Sequence, residues 1–198
     1  IVGLKIQGSY IKTIGHVDDP EIEVLKIVYN YNWPTDFHDL ELKEADLIKV
    51  DIEKELNYRQ DFRNLLTFTI DGLDAKDLDD AISLELIANS YRVGIHIADI
   101  GYLIKEGSLL DQEALKRGTS VYLGNKVIPM LPHTISNGLG SLNKGEDRLS
   151  LSVFITFNEN FEQINFEIYE GIINVKHRLD YKSVNEFFHQ DKTLVNDE

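Results

Sequence analysis

Five aspartates fall within the ten positions of residues 71–80, which is a dense group of carboxylates for so short a stretch: Asp71, Asp74, Asp77, Asp79 and Asp80. Like charges a few ångströms apart oppose one another's ionisation, and burial increases that penalty. Two situations relieve the repulsion, namely free solvation in an exposed loop or a bound cation. The first gives a surface feature without chemistry, whereas the second gives a metal site.

A hard cation would suit these side chains. Mg²⁺ prefers oxygen ligands and is often held by a few carboxylates together with substrate phosphate. Two such ions can activate water and stabilise the leaving oxygen of a phosphodiester. The spacing does not fit an EF-hand calcium loop, which needs acids at alternating positions, a central glycine and a terminal glutamate. Composition alone leaves the solvated loop and the cation site both open, with Asp74 the expected bystander.

Two predicted strands, residues 65–70 and 81–87, flank the acidic residues. Alternate residues of a strand share a face, so Asp77 and Asp79 are predicted to point the same way. Asp80 is predicted to point the opposite way unless a bulge or turn redirects it. Several carboxylates are therefore expected to converge on one point.

The remaining pattern predicts an α+β fold, with a mixed or antiparallel β-sheet and surrounding helices. Capping and stop signals predict helices that begin at Pro20, His38, Ser108 and Ser183. The helix that Ser108 caps is expected to run to Arg117 and to stop at Gly118. Further strands are predicted over residues 91–97, 121–123, 127–131, 149–157 and 161–169, the last two as a hairpin.

The overall composition limits the class of protein. A hydrophobic fraction of 42% supports a real core, and the absence of cysteine excludes disulfides and thiolate metal sites. No apolar run approaches the roughly 20 residues of a membrane span. The net charge of −14 argues against a nucleic-acid partner, but residues 91–153 carry seven basic and six acidic side chains and are the least hostile to phosphate.

Several blocks, in order, resemble the signature of the ribonuclease II/ribonuclease R family of 3′→5′ exoribonucleases. They are residues 69–82, 93–100, 117–123, 127–132 and 139–143. The resemblance implies that Asp71, Asp77, Asp79 and Asp80 hold Mg²⁺, with Mn²⁺ as a substitute. It also implies processive hydrolysis of the terminal phosphodiester with release of nucleoside 5′-monophosphates. Within this set, Asp71 and Asp80 are expected metal ligands, and Asp79 is expected to matter most for the chemical step.

The resemblance also implies contacts with the substrate, the 3′ end of single-stranded RNA. Tyr122 is the expected clamp that stacks on the last base, although without the resemblance it reads as a strand aromatic. Arg117 is a candidate for a phosphate contact, because backbone contacts usually come from Arg and Lys. His96 is expected to be a hydrogen-bonded core residue and not a metal ligand.

Three segments follow from the same resemblance. Residues 1–17 are similar to the tail of a cold-shock-type OB barrel, residues 18–60 to the helical connector of ribonuclease R, and residues 61–198 to the first part of an RNB-type catalytic domain. The family's second half, which supplies an Arg and a Glu to the site, has no counterpart in these residues. We therefore expect a piece of a cytoplasmic, monomeric enzyme, linked to RNA-decay machinery, with little or no activity by itself.

An alternative of a different class is a catalytically inactive acidic module of the same fold that binds RNA or protein. All four signature carboxylates are present, which counts against it. A titration with Mg²⁺ or Mn²⁺ separates the two hypotheses.

Overall fold

The computed structural model describes residues 8–124 and 126–190. Three helices come first: α1 (Ile22–Asn30), α2 (Asp39–Leu47) and α3 (Ile52–Glu55). The helix predicted from Pro20 begins two residues later, because Asp19 first accepts a hydrogen bond from the Glu21 amide in a turn. Helix α2 begins one residue after the predicted His38, which caps it: the His38 amide donates to Glu41 in a capping box. The predicted connector is therefore helical.

Residues 8–16 form no strand. Residues 1–7 of the predicted barrel segment lie outside the described residues, so the barrel assignment stays a prediction. No helix in residues 8–124 or 126–190 is long and apolar enough to cross a membrane.

In the described part of the chain nine strands follow, and they form two sheets. They are β1 (Gln60–Asp61), β2 (Thr67–Asp71), β3 (Asp80–Ile87), β4 (Ser90–Ala98), β5 (Val121–Leu123), β6 (Lys126–Ile128), β7 (Asp147–Phe157), β8 (Gln163–Asn174) and β9 (His177–Asp180). The large sheet has the order β1-β8-β7-β4-β3-β2-β9, and β5 pairs with β6 separately. Its two edge pairs are parallel and its inner pairs antiparallel, which confirms an α+β fold with a mixed sheet.

The later helices are α4 (Ile100–Leu103), α5 (Leu109–Arg117), a π-helix over Thr134–Leu139 and α6 (Tyr181–Gln190). Helix α5 agrees with its prediction to the residue: Ser108 accepts from the Asp111 amide, and Gly118 takes the left-handed conformation with φ 74°. Helix α6 begins before the predicted Ser183, because Asp180 accepts hydrogen bonds from both the amide and the hydroxyl of Ser183.

One face of the large sheet is buried. Its core contains Leu78, Ala81, Ala98, Leu142, Ile173 and Val175. A second apolar cluster joins α2 and α5 to the π-helix: Ala45, Leu103, Leu110, Ala114, Leu131 and Ile135. Because Leu78 is fully buried, the acidic stretch around it is attached to the core and does not project freely into solvent.

The other face of the sheet is apolar and exposed. The exposed side chains come from β3, β4, β7 and β8: Leu84, Leu86, Ile95, Ile97, Leu151, Ile164, Phe166 and Ile168. Ile97 is paired with Leu151 on one side and with Asp80 on the other. The exposed face therefore ends at the start of the acidic group.

Candidate active site

The acidic residues occupy the connection between two antiparallel strands. Asp71 ends β2 and Asp80 begins β3, and the pairing of Phe68 with Ile82 brings those strand ends together. We call residues 72–79 between them the acidic loop. Because β3 begins only at Asp80, Asp77 and Asp79 are not in a strand, and the prediction that strand alternation aligns them was wrong.

Leu78 and Ser141 fix the centre of the acidic loop. The Ser141 hydroxyl accepts from the Leu78 amide at 3.0 Å and donates to the Lys76 carbonyl at 2.9 Å. The Leu142 amide donates to the Leu78 carbonyl at 2.8 Å. These bonds hold the backbone on both sides of Asp77.

Arg178, at the edge of the sheet in β9, fixes the first half of the loop. Its guanidinium donates to the carbonyls of Leu73 and Ala75. The Ala75 amide in turn donates to the Gly72 carbonyl at 3.0 Å, which closes a tight turn. The sheet edge therefore holds the loop in one shape.

Electrostatic coupling links the four signature carboxylates. Burial raises the pKa of Asp71, and the charges of Asp80 and Asp77 raise it further, while Arg178 opposes them. Desolvation also raises the pKa of Asp79, followed by the charges of Asp77, Asp80 and Asp71. Solvent reaches the Asp79 side chain, but the surrounding protein removes part of its hydration. The loop thus concentrates negative charge that a cation would relieve.

The donor set fits a hard cation in its chemistry. The four side chains supply only oxygen atoms, and Asp71 Oδ2 is buried with no hydrogen-bond partner among the described residues. A buried carboxylate oxygen without a partner is unfavourable, and a cation would satisfy it. Within residues 8–124 and 126–190, no three His, Cys, Asp or Glu side chains already form a compact group for a metal. The carboxylates therefore lie in or beside one loop, but they do not converge on one point as predicted.

Two cavities meet at Asp77 and Tyr122. One, of about 800 Å³, is lined by Asp79 and by apolar residues that include Ile97 and Leu151. The other, of about 1080 Å³, is lined by Asp74, Lys76, His133 and Arg178 among others. Asp77, Tyr122 and Ser136 line both, so these three residues lie at the boundary between an apolar cavity and a more polar one.

Tyr122 contacts the acidic loop directly. It lies on β5, is 61% exposed, and donates its hydroxyl hydrogen to Asp77. This hydrogen bond, together with desolvation, raises the pKa of Tyr122 to about 12. The ring therefore stays neutral near pH 7, and its exposed face is available for stacking beside the carboxylates.

Arg117, in contrast, is held by groups of the protein itself. Its side chain is 2% exposed, and it pairs with Glu113 at 2.9 Å. It also donates to the carbonyls of Pro34, Asp36 and Pro129, and its guanidinium lies 3.7 Å above the Phe37 ring. The geometry disagrees with the predicted phosphate contact, because these internal partners occupy the guanidinium.

His96 lies in the core, as expected. Its two ring nitrogens bond to Ser83 at 2.9 Å and to Ser152 at 2.8 Å. Desolvation, with a smaller contribution from the charge of Arg92, lowers the pKa of His96 to about 4. It is a neutral structural residue.

Ser141 and Arg178 contact the acidic loop but were absent from the sequence-based set of site residues. Ser141 does fall within one of the resembling blocks, which is a signal that it lies near the site. Arg178 is 105 residues from Leu73, and no local pattern connects the two.

Comparison with known proteins identifies a common family. The model of the RNB domain matches residues 59–198. Ribonuclease R of Thermotoga maritima is 41% identical over 97% of this chain, which spans only 28% of that relative. Mycoplasma genitalium RNase R, solved in complex with ribose-methylated single-stranded RNA, is 31% identical, with a TM-score of 0.87 over 93% of this chain and 29% of its own.

A more distant solved structure shows that the fold occurs without nuclease activity. Yeast Ssd1, described as a pseudonuclease, has a TM-score of 0.77 over 91% of this chain and 23% of its own. At 22% identity, this likeness concerns the fold alone.

Proposed function

Because the chain belongs to the RNB domain family, we propose that it forms part of a 3′→5′ exoribonuclease. The enzyme would degrade single-stranded RNA processively to nucleoside 5′-monophosphates. The observation that carries the proposal is the anchored acidic loop with its four coupled carboxylates. Such a concentration of negative charge beside the buried, unpartnered Asp71 oxygen is unfavourable unless a cation binds there.

Asp71, Asp77, Asp79 and Asp80 would hold Mg²⁺, or Mn²⁺ in its place. Bound there, the metal would supply an activated water and stabilise the leaving oxygen of the phosphodiester. The protein's own contribution is electrostatic, since the mutual repulsion of the carboxylates favours cation binding. Ile97 and Leu151 line the apolar side of the cavity.

Tyr122 would receive the last base of the RNA. Its exposed ring lies beside Asp77, so a base stacked on it would place the adjoining phosphate near the carboxylates. Stacking suits a processive enzyme because every base offers a π-face. The solved complexes of M. genitalium RNase R contain single-stranded or double-stranded RNA, which supports RNA as the ligand here.

The setting of the enzyme follows from the same proposal. Its partner would be the 3′ end of single-stranded RNA. The enzyme would act as a monomer, in association with RNA-decay machinery. A cytoplasmic location suits a protein segment without cysteine.

The test replaces Asp79 with Asn in the full-length protein and measures nucleotide release from a 3′-tailed RNA. We expect the rate of nucleotide release to fall by about a hundredfold or more, because the Asp79 carboxylate would help to hold the metal that activates water. Asp74→Asn, an exposed position in the same loop, is the matched control and should retain activity. Normal folding with unchanged release by Asp79→Asn would refute the catalytic assignment.

The inactive binding module remains the competing hypothesis, since the fold also occurs in a pseudonuclease. Calorimetric titration of the metal-free protein with Mg²⁺ and Mn²⁺ separates the two. Saturable binding that Asp71→Asn abolishes supports the nuclease. RNA binding without any specific metal binding supports the inactive module.

A further inference from the structure

The acidic loop is held by two side chains from distant parts of the sequence, and neither is a carboxylate. Ser141 is fully buried and makes two hydrogen bonds to the loop backbone, to the residues on either side of Asp77. Its position is fixed in turn by Arg148, which donates to the Ser141 carbonyl at 2.9 Å and to the Gly138 carbonyl at 3.1 Å.

Arg178 holds the other half of the loop. One terminal nitrogen of its guanidinium donates to two carbonyls, those of Leu73 and Ala75. Its positive charge also faces Asp71 and opposes the rise in the pKa of that carboxyl. Arg178 therefore restrains the backbone and offsets part of the negative charge at the same place.

Without such restraints the loop would relax outward. Carboxylates a few ångströms apart repel one another, and the loop contains Gly72, the most flexible residue type. Hydrogen bonds to backbone on both sides of Asp77 prevent the relaxation at the point where it would move that carboxylate most.

We propose that Ser141 and Arg178 are positioning residues that keep the acidic loop in its catalytic shape before metal and RNA bind. This inference rests on the proposed function, since it assigns the loop a catalytic shape. Ser141 is expected to be the stronger of the two, because replacing it leaves the Leu78 amide and the Lys76 carbonyl without a partner. Arg178 is exposed, so water can replace part of its hydrogen bonds to the Leu73 and Ala75 carbonyls when the side chain is removed.

The first measurement is hydrogen exchange of the full-length protein without metal. Ser141→Ala should accelerate exchange of the Leu78 amide about tenfold, and Arg178→Gln that of the first half of the loop about threefold. Strand β4 should keep its protection in both. Ser150→Ala and Arg92→Gln are the control variants: each makes the same substitution away from the loop, where Ser150 bonds to Ser152 and Arg92 pairs with Glu85 and Glu167.

The second measurement is steady-state cleavage of single-stranded RNA by the same variants. Loss of loop geometry should lower kcat about tenfold in Ser141→Ala and leave KM within about twofold, because misplacement affects the chemical step more than base stacking. Arg178→Lys keeps the charge and one donor group, and should recover part of the loss in Arg178→Gln. The controls should keep the kcat of the wild type.

The outcomes separate the two proposals. Unchanged loop exchange in correctly folded Ser141→Ala and Arg178→Gln overturns the positioning role, and so does faster exchange with an unchanged kcat. If the wild-type protein releases no nucleotide, the proposed nuclease activity is refuted. Faster loop exchange in the variants would then still support the restraint of the loop by Ser141 and Arg178. If Ser141→Ala does not fold, the comparison of Arg178→Gln with Arg178→Lys tests the positioning role, through loop exchange and kcat.

Discussion

The Tyr122 hydroxyl donates to the Asp77 carboxylate, so the exposed aromatic ring and the acidic loop are joined by one hydrogen bond. The pair also lies at the boundary between the two cavities, together with Ser136. A group proposed to bind the base is therefore in direct contact with a group proposed to hold the metal. This contact makes the two functions of Tyr122 separable by mutation.

Tyr122→Phe keeps the ring and removes the bond to Asp77. We expect kcat on single-stranded RNA to fall about threefold to tenfold with KM nearly unchanged. Tyr122→Ala removes the stacking surface and should raise KM about tenfold or more. Steady-state kinetics on the full-length protein measure both, with Tyr31→Ala, another exposed tyrosine, as control. Equal effects of the Phe and Ala variants would contradict separate roles for the hydroxyl and the ring.

Arg117→Met tests whether this arginine supports the fold or binds RNA. It breaks the buried pair with Glu113, so the free energy of unfolding should fall by about 2–4 kcal/mol. The dependence of RNA affinity on salt should not change, since no phosphate contact is lost. Arg63→Met, which removes two more exposed ion pairs, with Asp61 and Asp147, should destabilise less. A weaker salt dependence in Arg117→Met would restore the phosphate contact as the correct assignment.

Acid should destabilise the protein through His96. Its pKa is lowered to about 4 in the fold and is about 6.5 when unfolded, so the unfolded chain binds more protons between these values. Stability is therefore complete above about pH 6.5 and falls as the pH drops toward 4, by as much as about 3 kcal/mol. Urea unfolding at a series of pH values measures the free energy of unfolding, and His96→Gln should make that free energy depend less on pH between 4 and 6.5. An NMR titration that places the His96 pKa near 6.5 would contradict it.

Gly94→Ala should be strongly destabilising. A Cβ at this position would lie 2.3 Å from Ser83 Oγ, 2.8 Å from His96 Nε2 and 2.9 Å from Phe154 Cε1. Overpacking of this kind costs about 1–3 kcal/mol, and here it also disturbs the hydrogen bonds of His96. Thermal melting is the measurement. Gly101→Ala, whose Cβ would meet only Asp99 Oδ1 at 3.7 Å, should melt close to the wild type, and equal melting of both variants would exclude the clash.

Local signals in the sequence were sufficient where the structure depends on neighbours along the chain. Helix α5 is predicted to the residue because Ser108 and Gly118 each act within one turn. Strand β9 is missed, since its four residues show no alternation and it forms only by parallel pairing with β2. Strand β1 is missed for the same reason.

The candidate site divides in the same way. The acidic loop is found because five aspartates crowd one short stretch, and the resemblance selects four of them. Their directions are not predicted, because the strand begins at Asp80 and not earlier. Ser141 and Arg178 act across long separations in sequence. The residue type of Arg117 suits both a phosphate and a buried carboxylate, and only the structure shows its packing against Glu113 and Phe37.

The parallel pairing of β2 with β9 has a consequence in time. Asp71 is aligned with Asp180, and Arg178 reaches back 105 residues to Leu73. A ribosome that makes the chain from its N-terminus produces the five aspartates of residues 71–80 before the residues that complete their anchorage. Because such distant contacts form late in folding, the nascent chain carries the acidic side chains without their final arrangement. Any hydrolytic competence therefore arises only after most of this segment has left the ribosome.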